Sequence, residues 1–177
     1  MKRPPGDVSS AWTKDRVTLD EVERRLASLL PRLRRFAHGL ARSGPDADDL
    51  VQAAAERMLK ARDQWQPGTH FEAWAYRVVR NLWIDTARSR QRREAVHAPE
   101  EQGMQVGVAG DAEARVELSY LMRALDRLPD EQREAVVLVM IEGKSYAEAA
   151  EVLEVPMGTL TSRLVRGRQA LMAAVEA

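Results

Sequence analysis

Cysteine is absent from this chain of 177 residues. That excludes disulfides, thiolate-bound metal and thiol chemistry together, and it fits a cytoplasmic protein. Long apolar runs are missing too: none approaches the roughly 20 residues that span a bilayer. The opening MKRPPGDVSSAWTK is charged and proline-bearing and lacks the apolar core of a signal peptide. His38, His70 and His97 stand apart, without metal-ligand spacing. No acid pair or nucleophile sits in a setting that supports catalysis, so no enzyme, cofactor or metal is expected. GKS at 143–145 looks like the end of a phosphate-binding loop, but that motif needs glycine where Leu138 stands.

Net charge is absent as well, but only in the sum. Residues 1–93 carry 19 basic and 12 acidic residues, a balance of +7, and residues 94–177 carry 8 and 15, a balance of −7. Such asymmetry implies two modules with separate partners, the basic one suited to a polyanion. The halves either fold onto each other through these opposite charges or swing freely. A hydrophobic content of 45% excludes global disorder.

What is present is helical periodicity. Val22, Leu26, Leu29, Leu33, Phe36 and Leu40 form one stripe and predict a helix over 19–42, which Pro31 should kink or split. SGPD at 43–46 breaks the chain, and Asp46, Asp48 and Asp49 favour a helix start. That helix carries Leu50, Ala54, Met58 and Ala61 to about Gln64. A third spans about 71–92, with Phe71, Trp74, Ala75, Val78 and Leu82 expected inward and Trp83 open to either reading. The pattern fails from Glu94 to about Gly110, which reads as a flexible tether. Helices resume over 112–128 and from Pro129 to Gly143. Ser145 with Glu148 forms a capping box for a helix over 145–153. The last helix runs from about Pro156 to Ala174. Neither strands nor internal repeats are legible. The expected fold is all-α: a tail (1–18), a helical domain (19–93), a flexible linker (94–111) and a second helical domain (112–177).

The second domain reads as a helix–turn–helix. Ala150 is the small residue where the helices cross, and Leu160, ten positions later, is the apolar residue facing back. The turn position four after Ala150 is usually glycine and here is Glu154, which costs about 1 kcal/mol if the backbone is left-handed. In VPMGTLTSRLVRGR (155–168), Leu160, Leu164, Leu171 and Val175 should face the core. Thr161, Ser162 and Val165 face out, with Met157 and Gly158 at the tip and Arg163, Arg166 and Arg168 flanking. A recognition helix enters the major groove by such an end, with cations placed for phosphates. A plain surface helix with late basic residues is the blander alternative.

In the first domain, Asp49 and Gln52 lie at i, i+3 and can engage a partner helix, although capping alone explains the acids nearby. Arg77, Asn81, Asp85, Arg88 and Arg92 form a polar stripe, with Trp65 and His70 in the preceding loop. Guanidinium groups beside aromatic rings suit unpaired nucleic acid.

DADDLVQ, then FEAWAYRVVRNLWIDTARSRQRR, then LPDEQREAVVLVMIEGKSYAEAAEVLEVPMGTLTSRLVRGRQAL resembles the bacterial extracytoplasmic-function (group IV) sigma factors. The likeness spans about Leu19 to Leu171, and LLPRLRRFA at 29–37 looks like the alphaproteobacterial general-stress subgroup. The resemblance implies sigma-2 and sigma-4 domains that bind RNA polymerase core and direct it to promoters. It implies that Asp49 and Gln52 meet the clamp helices of the largest subunit, and that sigma-4 meets the flap of the second largest. It implies −10 contacts by Trp65, His70, Arg77, Asn81, Asp85, Arg88 and Arg92. The −35 contacts would fall to Met157, Thr161, Ser162, Arg163, Val165, Arg166 and Arg168. An anti-sigma factor is a further implied partner. Two positions depart from the family: Ala53 stands where an acid is usual, and Thr161 where a basic residue is common. The rival reading is a helix–turn–helix regulator with a helical sensing domain, for which the first-domain motifs have no use.

Overall fold

The structure, a computed structural model, describes residues 19–41, 43–62, 65, 69–94 and 112–175. The expected tail, and the tether after Glu94, lie outside the described residues. Among the described residues seven α-helices follow in order: α1 (Leu19–Leu40), α2 (Gly44–Lys60), α3 (Phe71–Glu94), α4 (Ala112–Asp126), α5 (Asp130–Val136), α6 (Tyr146–Leu153) and α7 (Met157–Val175). A π-helical turn, Val137–Ile141, extends α5. No strand occurs among the described residues.

The α1 stripe is buried as its spacing requires, from Val22 to Leu40. Pro31 does not split the helix, which stays continuous to Leu40. The proline sits on the exposed face, as does Ala27, whose carbonyl loses its helical partner and can turn to water. Ser43 caps α2 by accepting from the Asp46 amide at 3.2 Å. Ala47, Leu50, Val51, Ala54 and Met58 of α2 pack inward.

The inward face of α3 differs from the expected one. Phe71 and Ala75 are buried, but Trp74, Val78 and Leu82 are only half-buried. Tyr76, Val79 and Trp83 are buried instead. The reason is that α3 is covered from two directions, by α1 and α2 on one side and by α6 on the other. A single helical wheel assigns one inner face, and α3 has two.

In the C-terminal half the capping box forms as expected: Ser145 Oγ accepts from the Glu148 amide, and Glu148 Oε2 accepts from the Ser145 amide at 2.9 Å. The Ser145 hydroxyl, which donates to Glu148 Oε2 at 2.6 Å, and then the Ser145 amide hold the Glu148 carboxyl below the usual carboxylate range. α6 ends at Glu154 with φ 56° and ψ 42°, the left-handed turn that the helix–turn–helix reading requires. Ala150, Leu160, Leu164 and Leu171 are buried. The side chain of Val175 lies outside the described residues.

The two halves are docked on each other. α1 packs on α5 and the π-helical turn, and α3 packs on α6. Of the two arrangements open to the sequence, the folded one is observed.

Candidate nucleic-acid interface

The joint between the halves decides which candidate residues are accessible. At its centre is Glu142, whose side chain is fully buried (0% exposed). Its Oε2 accepts from Tyr76 Oη at 2.6 Å, and its Oε1 accepts from Arg35 Nε at 3.3 Å. Arg32 Nε lies 3.8 Å away. Burial first, then the hydrogen bond to Glu142, push the Tyr76 hydroxyl far above the ordinary phenol range, so it serves as a neutral donor. Lys144 stands 4.9 Å over the Tyr76 ring and pairs with Glu72, which also pairs with Arg32. The π-helical turn explains why both Glu142 and Lys144 reach the joint. Its wider register, with the Glu142 amide bonded to Val137 O, rotates the following residues out of α-helical phase.

A second ion pair flanks the first. Arg80 grips Glu134 by two parallel bonds of 2.9 and 3.2 Å, with both side chains largely buried. Burial raises the Glu134 carboxyl above the usual range, and Arg80 opposes that rise. Arg133, wholly inside, donates to Leu125 O and to Leu40 O, each at 2.9 Å. The second of these carbonyls ends α1, in the other half.

The steric key is Gly39. A Cβ there would lie 2.6 Å from Val137 Cγ1 and 2.9 Å from its Cγ2. Only glycine lets α1 approach the π-helical turn this closely.

Against this frame the candidate residues separate. Asp49 and Gln52 are exposed on α2, outside the joint. Asn81 and Asp85 are exposed on α3. Arg77, on the same face one turn earlier, is held by the other half: its Nη1 is 3.3 Å from Glu154 Oε1 and its Nη2 3.8 Å from Glu151 Oε1. His70 Nδ1 lies 3.2 Å from Glu151 Oε2. Trp65 is packed inside, 4% exposed, edge-on to Phe71 and beneath the Arg25 guanidinium at 4.9 Å. It is not presented to a base in this conformation. The side chains of Arg88 and Arg92 lie outside the described residues, although the α3 backbone carries both.

On α7 the outer face is open. Met157, Ser162, Val165, Arg166 and Arg168 are exposed and Thr161 is half-exposed. The Thr161 hydroxyl donates to Met157 O and the Ser162 hydroxyl to Thr159 O. Arg163 is turned away from the others and pairs with Glu131 at 3.0 Å.

Sequence reasoning missed the joint itself. Arg32, Arg35, Glu72, Tyr76, Arg80, Arg133, Glu134, Glu142 and Lys144 were not singled out. The one available signal was the opposite charge of the halves.

Comparison with known proteins fits this geometry. The Sigma-70 region 2 family matches residues 26–93, and the Sigma-70, region 4 family matches residues 118–171. The chain is 36% identical over 154 residues to the ECF RNA polymerase sigma factor EcfG of Rhodopseudomonas palustris (strain TIE-1), covering 87% of this chain and 84% of that one. It is 37% identical over 160 residues to the ECF RNA polymerase sigma factor SigM of Mycobacterium tuberculosis, covering 89% and 76%. Its fold is similar to that of the sigma factor RpoE solved with the anti-sigma factor NepR from Bartonella quintana (TM-score 0.78, 28% identity, 89% of this chain and 98% of that one). It is similar also to CnrH in complex with the cytosolic domain of CnrY (TM-score 0.69, 26% identity, 90% of each chain). Two matched regions in order, the helix–turn–helix with its open outer face, and relatives matched over most of their length place this chain among the ECF RNA polymerase sigma factors of the sigma-70 family.

Proposed function

We propose that the chain is an alternative sigma factor that binds RNA polymerase core and directs promoter-specific initiation. The observation that carries this is the pairing of a region 2 module with a region 4 helix–turn–helix in one chain. A helix–turn–helix regulator with a sensing domain would have no need of the first module.

In this reading α2 docks on the polymerase through Asp49 and Gln52, which stand exposed on one helical face. The α3 face of Arg77, Asn81, Asp85, Arg88 and Arg92, with His70, takes the −10 strand by phosphate and base-edge contacts. Trp65 joins it only if its loop rearranges. The tip of α7 reads the −35 element through Thr161, Ser162 and Val165, with Met157, Arg166 and Arg168 about it, and Arg163 joins them only on leaving Glu131. The polymerase supplies the catalysis, and holding both modules on one enzyme raises their effective concentration on the promoter. Such a protein works in the cytoplasm. RpoE with NepR supports an anti-sigma factor as a further partner, and LLPRLRRFA supports the general-stress subgroup.

The test is reconstitution with core polymerase and a fork-junction template. Co-elution with core and template-dependent initiation are expected. Failure of both overturns the reading.

A further inference from the structure

We infer that the free protein carries an internal competitor for one end of its own −10 face: the carboxylates of Glu151 and Glu154 occupy Arg77 and His70, while Asn81 and Asp85 farther along α3 stay exposed. What the face binds rests on the function proposed above; the contact itself does not.

The geometry is that of a stand-in for phosphate. Two carboxylates three residues apart, at the end of α6 and in the turn after it, meet the two terminal nitrogens of one guanidinium. The Glu151 carboxylate, the farther of the two from Arg77, also meets the imidazole of His70. Nucleic acid would present anionic oxygens to the same groups.

Glu154 supplies an independent reason. It is the one non-glycine residue at positive φ among the described residues. The strain of a left-handed glutamate is present whether the halves are docked or apart, because the turn belongs to the C-terminal half alone. The contact with Arg77 is made only when they are docked. Glycine would serve the turn better, so the glutamate is accounted for by what it touches across the joint.

The closure is selective. The α2 face with Asp49 and Gln52 stays exposed, as do Val165, Arg166 and Arg168 on α7. Contact through Asp49 and Gln52 therefore does not require opening, whereas use of Arg77 does. Nor is the closed contact complete: Arg77 Nε is buried with no hydrogen-bond partner among the described residues. A ligand offering more acceptors can displace the two carboxylates.

Two full-length variants test this by different routes. Glu154→Gly removes the contact and suits the turn. Gly39→Ala forces the halves apart without touching a charged group. The readouts are the distance between dyes on cysteines introduced at Lys60 and Gln169, binding of a labelled single-stranded DNA of about 12 nucleotides and randomised sequence, and co-elution with core polymerase. Both variants should lengthen the distance. Each should bind the DNA more tightly, by about fivefold for Glu154→Gly, the scale of an exposed ion pair. If Gly39→Ala opens the protein yet leaves DNA binding unchanged, the competitor idea fails and any gain from Glu154→Gly is local charge removal. If Glu154→Gly leaves the distance unchanged, the contact does not hold the halves. Failure of every form to co-elute with core would sink the sigma reading instead, while the distances would still report on the contact.

Discussion

Substituting Gly39 by alanine isolates the joint from everything else in the molecule. The new methyl would stand 2.6 and 2.9 Å from the two Cγ atoms of Val137, and all three of its nearest neighbours belong to that one residue across the joint. Val137 is fully buried in the π-helical turn, and a β-branched side chain has little rotameric freedom with which to retreat. Overpacking of this kind costs about 1–3 kcal/mol, a shift of about 5- to 150-fold toward the undocked state. Alanine also favours the helix over glycine by up to about 1 kcal/mol, equally in both states. Closure and the stability of α1 should therefore move in opposite directions. Because the chain has no cysteine, a dye pair on introduced thiols at Lys60 and Gln169 reports closure without background labelling. The expected result is a longer mean distance together with an undiminished melting temperature for the N-terminal half. Adding Val137→Ala leaves only the Cβ, 3.4 Å away, and should shorten the distance again. An unchanged distance in Gly39→Ala would refute the reasoning.

Glu142→Gln keeps the shape and the Tyr76 bond but loses the attraction of Arg32 and Arg35. With both arginines partly exposed, the docked state should weaken by about 1–2 kcal/mol, read from urea unfolding and the same dye pair; an unchanged midpoint would count against it. Ser145→Ala should cost the C-terminal half about 1 kcal/mol through loss of the α6 cap. Because the Glu148 carboxyl is held low in the folded state, its contribution is present above about pH 4.3 and is lost as pH falls toward its folded value. Glu148→Gln should flatten that part of an acid melting curve, and an identical acid limb would argue against the cap. Asp49→Ala with Gln52→Ala should weaken co-elution with core polymerase while leaving the dye distance unchanged, since neither residue lies in the joint; a change in distance would contradict that placement.

How much could be read beforehand depended on sequence separation. The capping box at Ser145 and Glu148 was legible because both partners lie within one turn. The left-handed turn at Glu154 was legible because its position is counted from Ala150. Arg35 and Glu142 are 107 residues apart, Tyr76 and Glu142 are 66, and Arg80 and Glu134 are 54. No periodicity encodes such pairs, and the charge balance of the halves gave only their sign. Trp65 and Trp83 show the same limit from the other side. Both are buried, yet a loop position and a helical wheel, taken alone, describe neither the Phe71 edge nor the double cover of α3.

Arg133 ties the joint to the corner between α1 and α2. α1 does not finish its own last turn: the carbonyl of Leu40 accepts a hydrogen bond from a guanidinium rooted in α5. Three residues later Ser43 begins α2. When the halves part, that carbonyl passes to water and the corner loses a clasp supplied from outside its own fold. The helix that carries Asp49 and Gln52 therefore hangs from a corner whose stiffness depends on where the C-terminal half is. Hydrogen exchange around the end of α1 would sense the position of a module more than ninety residues away in sequence.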